Sequence, residues 1–166
     1  MQIPILSNIR ELDNAPRRFL LFIAFNVVSW QSIVGPSLVL FARRIDMPPS
    51  WVGFLISFMP LSTLLVIPAA PLITRLGPKR VMLGGWLFRN LLACIVFLVP
   101  TAILHGSVRA GWYVLALATL GFCLMRAVGA GGWFPWLHEV VPDGQRGSYF
   151  SAEAAVTQLL NVIVML

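Results

Sequence analysis

Four apolar stretches, each long enough to cross a lipid bilayer, follow one another with short polar breaks between them. They lie at 19–42, 51–73, 81–99 and 111–137, and each has at least the roughly 17 residues that a transmembrane helix needs. Backbone N–H and C=O groups left unpaired in lipid cost several kcal/mol each, so such stretches must be helical. The sequence therefore predicts an all-α integral membrane protein, a polytopic transmembrane helix bundle.

A fifth apolar stretch, 150–166, ends the sequence. After Glu153 only 154–166 is uninterrupted apolar chain, which is too short to cross the bilayer comfortably. We therefore expect a truncated fifth span in a protein that continues. The N-terminal segment 1–18 is charged and runs directly into a full-length span, unlike a cleavable signal peptide. We predict that 1–18 is a cytoplasmic segment and that 19–166 is the transmembrane domain.

Composition and charge agree with a lipid partner and argue against nucleic acid. Hydrophobic residues make up 58% and charged residues 11%, against roughly 45–50% and about 25% in soluble domains. The net charge is +6, but the basic residues are scattered in short breaks and form no patch with interleaved aromatics. Cys94 and Cys123 lie inside apolar spans, where cysteine is usually a small hydrophobic residue. The bilayer is the predicted partner.

The distribution of Lys and Arg predicts a cytoplasmic N-terminus in the cell membrane. With this orientation the inner segments hold Arg10, Arg17, Arg18, Arg75, Lys79, Arg80 and Arg146. The outer segments hold Arg43, Arg44 and Arg109. Inner loops of membrane proteins carry an excess of positive charge, so this orientation is favoured over the reverse.

The turn between the second and third stretches combines a glycine, a proline and cations. It resembles the G-x-x-x-D-R-x-G-R-[RK] loop of the major facilitator superfamily of transporters. The matching positions are Arg75, Gly77 and Lys79. The departures are Ala70, Thr74 and Pro78. Thr74 replaces an aspartate whose gate contacts, in that family, hold the outward-facing state, so we expect any gate here to be built differently.

The segment between the fourth and fifth stretches resembles that family's E-x-x-P-x-x-x-R-G loop. Glu139, Pro142, Arg146 and Gly147 occupy all four defining positions. Proline and glycine stop and restart helices, while Glu139 and Arg146 are opposite charges near two helix ends. They could clamp and release each other, or the segment could be a solvated loop.

The fourth stretch contains an arginine followed by glycines, which partly resembles the family's R-x-x-Q-G-x-G element. Arg126 and Gly132 match it, whereas the glutamine and the middle glycine are missing. The glycines predict close helix packing, because small residues let backbones approach. An arginine inside a span costs at least ~2.5–3.5 kcal/mol unless it snorkels or is paired. We expect Arg126 to face the protein interior or a wet cavity; Arg89, in the third stretch, either does the same or snorkels.

Polar side chains recur in the middle of two spans. In the first span they are Asn26, Ser29, Gln31 and Ser32, with Trp30 beside them and Gly35-Pro36 as a bend. In the fifth they are Glu153, Thr157 and Asn161, spaced by four on one helical face. These lines either bind one helix to another or line a substrate path. Among these residues only Glu153 could couple transport to protons; otherwise the coupling residue lies in the missing half, or transport is facilitated diffusion.

The family resemblance implies a secondary transporter that moves a small-molecule substrate by alternating access. The chain would be the N-terminal part of such a carrier, an incomplete first half that needs the missing C-terminal half. No enzyme is predicted: His138-Glu139 begins H-E-x-x-H, but Pro142 stands at the second histidine. No metal and no cofactor are predicted. The alternative is a structural membrane protein or assembly factor of four or five spans.

Overall fold

The computed structural model of the protein describes residues 12–165, and every regular element in that range is helical. Residues 1–11 of the predicted cytoplasmic segment and Leu166 lie outside the described residues. The α-helices are α1 (Asn14–Val34), α2 (Pro36–Arg44), α3 (Pro49–Ser62), α4 (Val66–Leu76), α5 (Pro78–Ala93), α6 (Val99–His105), α7 (Val108–Val140) and α8 (Arg146–Met165). Short 3₁₀ turns lie at Thr63–Leu65, Cys94–Leu98 and Asp143–Gln145.

These elements join into four helices that are long and apolar enough to cross a membrane. They are Asn14–Arg44, Pro49–Leu76, Pro78–His105 and Val108–Val140. Each covers one of the four predicted apolar stretches and extends past it into the polar flanks. The predicted all-α class is confirmed for the part of the chain that the structure describes.

Prolines account for the interruptions within these long helices. The first is broken at Gly35, before Pro36, at the predicted bend. In the second, Pro68 follows the turn at Thr63–Leu65. In the third, Pro100 follows the turn at Cys94–Leu98. A proline offers no N–H to the carbonyl four residues earlier, so the helix tightens or bends there.

The chain divides into two compact units. The terminal unit consists of the described chain up to Pro36 together with the chain from Trp136 onward, and the central unit is Ser37–Pro135. In the terminal unit α1 packs along α8. Phe19 and Tyr149 are buried there with their ring centroids 6.1 Å apart, and Phe19 also meets Trp136 edge to face at 4.8 Å.

The central unit is held by close approach of α5 to α7. A Cβ placed on Gly85 would lie 2.8 Å from the backbone nitrogen of Gly129, and one on Gly132 would lie 2.5 Å from the carbonyl oxygen of Pro78. The helices can come this close only because those positions lack side chains. The glycines of the fourth stretch therefore serve the packing that their spacing predicts.

Candidate functional site

The two predicted polar lines meet between α1 and α8. The side-chain amide of Gln31 donates a hydrogen bond to Oδ1 of Asn161 at 2.7 Å. This contact lies twelve residues beyond the Phe19–Tyr149 contact on both helices. The two helices are therefore parallel and in register over about 18 Å at 1.5 Å per residue.

The remaining candidates on these lines are partly buried. Asn26, Ser29 and Trp30 on α1 all make interactions, and Thr157 on α8 lies one turn before Asn161. Ser32 differs from them, because it is exposed and its hydroxyl donates to the carbonyl of Val28 in its own helix at 2.8 Å. The outward faces carry apolar side chains instead, such as Phe25, which is 77% exposed. Thus polar groups line the inner faces of α1 and α8.

Glu153 belongs to the same line and has an unexpected neighbour. Its Oε2 atom is buried and has no hydrogen-bond partner among the described residues, and the same holds for the hydroxyl of Tyr149. Tyr149 was not among the predicted site residues. The signal was in the sequence, because Tyr149 stands four residues before Glu153 on the same helical face.

In the segment that resembles E-x-x-P-x-x-x-R-G, Arg146 bonds to residues other than Glu139. Arg146 pairs with Asp143 at 2.6 Å and donates to the carbonyl oxygen of His138 at 3.3 Å. Glu139 is exposed and has no hydrogen bond or ion pair within residues 12–165. The arginine thus satisfies a carbonyl at the end of α7, as cations near helix C-termini commonly do. Pro142 begins the turn at Asp143–Gln145, and Gly147 lies in the first turn of α8.

A reciprocal contact joins the start of α1 to the turn before α8. The backbone N–H of Asp13 donates to Oε1 of Gln145 at 3.1 Å, and the side-chain amide of Gln145 donates to Oδ2 of Asp13 at 2.9 Å. Gln145 is one of the unspecified positions of the motif, so neither residue was predicted. The pair fixes the end of the terminal unit at which both helices begin.

The turn between α4 and α5 depends on Gly77. This residue has φ +83° and ψ 150°, and its N–H donates to the carbonyl of Ile73 at 2.9 Å. Arg75 and Lys79 on either side are exposed. In the central unit α4 ends and α5 begins at this turn, as the short loop predicts.

The two arginines within the spans belong to the central unit. Arg89 is only 2% exposed, and its guanidinium lies 4.8 Å from the centre of the Trp86 ring and 5.2 Å from that of Phe122. Such cation–π contacts favour a desolvated guanidinium. Arg126 is partly buried and close enough to act electrostatically on Arg89. Arg89 was expected either to face the protein interior or to snorkel to the membrane interface, and the structure has its side chain inside the protein.

No group of three His, Cys, Asp or Glu side chains that could hold a metal ion occurs in the described part of the chain. Comparison of the chain with protein-family models, curated proteins and solved structures finds no match. The geometry of the polar lines on α1 and α8 is therefore the basis for a functional proposal.

Proposed function

We propose that this chain crosses the cell membrane with its four long helices and forms the N-terminal part of a secondary transporter of the major-facilitator type. It would move a small solute by alternating access. The observation that carries the proposal is the hydrogen bond between Gln31 and Asn161, which joins two polar lines inside otherwise apolar helices.

Packing alone gives little reason for so many polar side chains. Interhelical hydrogen bonds in membranes contribute about 0.6 kcal/mol on average, whereas polar groups that lose their partners in an apolar setting cost more than that. Polar side chains that are partly or fully buried on α1 and α8 include Asn26, Ser29, Gln31, Thr157 and Asn161. In a water-filled path these side chains would have a function, because they could exchange their contacts with one another for contacts with the solute.

The ends of the helices suit such a path. Gln31 lies one turn before the break at Gly35, so the helix can change direction beside the polar contact. At the opposite end of α1, Asp13 and Gln145 hold the start of the helix to the turn before α8. We propose that α1 and α8 move together as one wall of the path.

Thiol labelling tests whether the polar lines face water. In a background with the free cysteines Cys94 and Cys123 changed to Ala, we would introduce Thr157→Cys and Asn161→Cys. The matched control is Leu159→Cys, on the apolar face of α8, where the native side chain is 62% exposed. A membrane-impermeant thiol reagent should label the two polar positions at least about tenfold faster than position 159, because only a thiolate in contact with water reacts readily.

Equal labelling at the polar and apolar positions would favour the alternative to a transporter. If Thr157→Cys and Asn161→Cys are as unreactive as Leu159→Cys in intact and in inside-out vesicles, the polar lines serve helix packing. The chain is then better described as a structural membrane protein or an assembly factor.

A further inference from the structure

Two neighbouring polar atoms on α8 are buried without a hydrogen bond among the described residues. They are Oη of Tyr149 and Oε2 of Glu153. Tyr149 is 0% exposed, so its hydroxyl is shut off from solvent. A buried donor or acceptor left unsatisfied costs about 1–3 kcal/mol, and a charged one costs more. Such a pair indicates that a further species completes the site.

The two groups face the same way and lie close together. Residues four apart on a helix are neighbours on one face, and the charge of Glu153 is near enough to act on the phenol of Tyr149. The Tyr149 ring stacks against Phe19 of α1, with 6.1 Å between the ring centroids and 29° between the ring planes. The hydroxyl is thereby fixed beside the carboxyl.

The surroundings of Glu153 within its unit are apolar. The elements that pack most extensively against α8 are α1 and the turn at Asp143–Gln145. Position 23 of α1 lies opposite Glu153 in the register set by the two helix contacts, and it is the buried Ile23. The charged groups on these elements all lie towards the helix starts: Asp13, Arg17, Arg18, Asp143 and Arg146. Residues 19–34 of α1 contain no titratable side chain, so no charge on α1 faces the carboxyl.

The site suits a proton better than a metal ion. Calcium and magnesium ions take six or more oxygen ligands, whereas one carboxyl and one phenol supply three oxygens. A proton needs a single oxygen. Once bound, it removes the charge whose burial is costly, and it provides an O–H group that can donate to the neighbouring phenol oxygen.

We infer that Glu153 and Tyr149 form a proton-binding site. Hydronium transfers its proton to Oε2 of Glu153, an O–H bond forms there, and a water molecule is released. The new hydroxyl then donates to Oη of Tyr149, directly or through one water. The end of α8 that carries Arg146 is seven residues away, about 10 Å along the helix, and is the nearer end of the helix to Glu153.

The role of this site in coupling rests on the proposed function. In a carrier, loading and release of the proton at Glu153 would alternate with solute exchange at Gln31 and Asn161, which lie two turns further along the same helix pair. Proton binding itself does not require transport, so it can be measured separately.

Infrared difference spectra of the full chain in lipid, recorded between alkaline and acidic buffer, test the inference. Acidification should produce the C=O stretching band of a carboxylic acid in apolar surroundings. This band should be absent from Glu153→Gln, retained at a shifted frequency in Glu153→Asp, and shifted in Tyr149→Phe, which keeps the ring but removes the hydroxyl. The matched control Asp46→Asn changes an exposed carboxyl at a positive φ, which Asn tolerates, and should leave the band unchanged.

An acid-induced band of the same size in Glu153→Gln would overturn the inference, and a band that Tyr149→Phe leaves in place would overturn the paired site. Circular dichroism establishes that each variant keeps its helices. A protein that shows the expected band but moves no solute retains the proton site and refutes the transport proposal. Solute uptake by a protein that lacks the band refutes the proton site and retains the transport proposal.

Discussion

Gly85→Ala is expected to destabilise the protein by about 1–3 kcal/mol, the usual cost of adding a methyl group to a closely packed interface. The new Cβ would lie 2.8 Å from the nitrogen and 2.9 Å from the Cα of Gly129. Both atoms belong to the backbone of α7, so no side chain can move aside. The two helices must separate, and the contacts on either side weaken with them.

The neighbouring residue provides the control. Gly84 lies in the same helix, but a Cβ there would meet nothing within 4 Å. Gly84→Ala should leave stability unchanged or raise it by up to about 1 kcal/mol, since alanine favours helix over glycine. Thermal unfolding of both variants in detergent micelles measures the difference. Equal midpoints for the two variants would show that close approach at Gly85 does not hold α5 against α7.

Gly77→Ala is expected to cost about 1–3 kcal/mol, because the backbone at this position is accessible almost only to glycine. Its φ of +83° and ψ of 150° end α4 and lead into Pro78 at the start of α5. Proline also restricts the preceding residue to an extended ψ, so the turn cannot relax to a helical conformation. The strain falls on the turn itself, since a Cβ at Gly77 would meet no atom within 4 Å.

Gly144→Ala is the matched turn variant. Gly144 lies in the turn before α8, has open space around it and does not have a positive φ. Unfolding midpoints should fall for Gly77→Ala and stay near the parent value for Gly144→Ala. Protease cleavage at Arg75 and Lys79 should also become faster in the first variant only. If both variants behave alike, the positive φ of Gly77 is not needed by the turn.

Periodicity and residue size predicted the parts of the fold that depend on local chemistry. The apolar stretches predicted the helices, the Gly35-Pro36 pair predicted the break in the first long helix, and the glycines predicted close packing. Each of these follows from one residue type acting through its own backbone or size.

Partners across the fold were harder to predict. The spacing of Glu153, Thr157 and Asn161 predicted one helical face, but only the packing of α1 on α8 shows that Gln31 is the partner of Asn161. Opposite charge suggested a contact between Glu139 and Arg146, whereas in the structure Arg146 pairs with Asp143. Register between distant segments depends on the whole packed unit, which no local pattern encodes.

Solute uptake by proteoliposomes tests the central claim most directly. The gene product would be purified from the membrane as the cell makes it, reconstituted, and offered a mixed pool of small water-soluble solutes, with the trapped contents identified by mass spectrometry. We predict saturable uptake of at least one solute, lost in Asn161→Leu and retained in Leu159→Ala, which alters the apolar face of the same helix. Uptake no greater than that of protein-free liposomes, or equal uptake by both variants, would contradict a substrate path between α1 and α8.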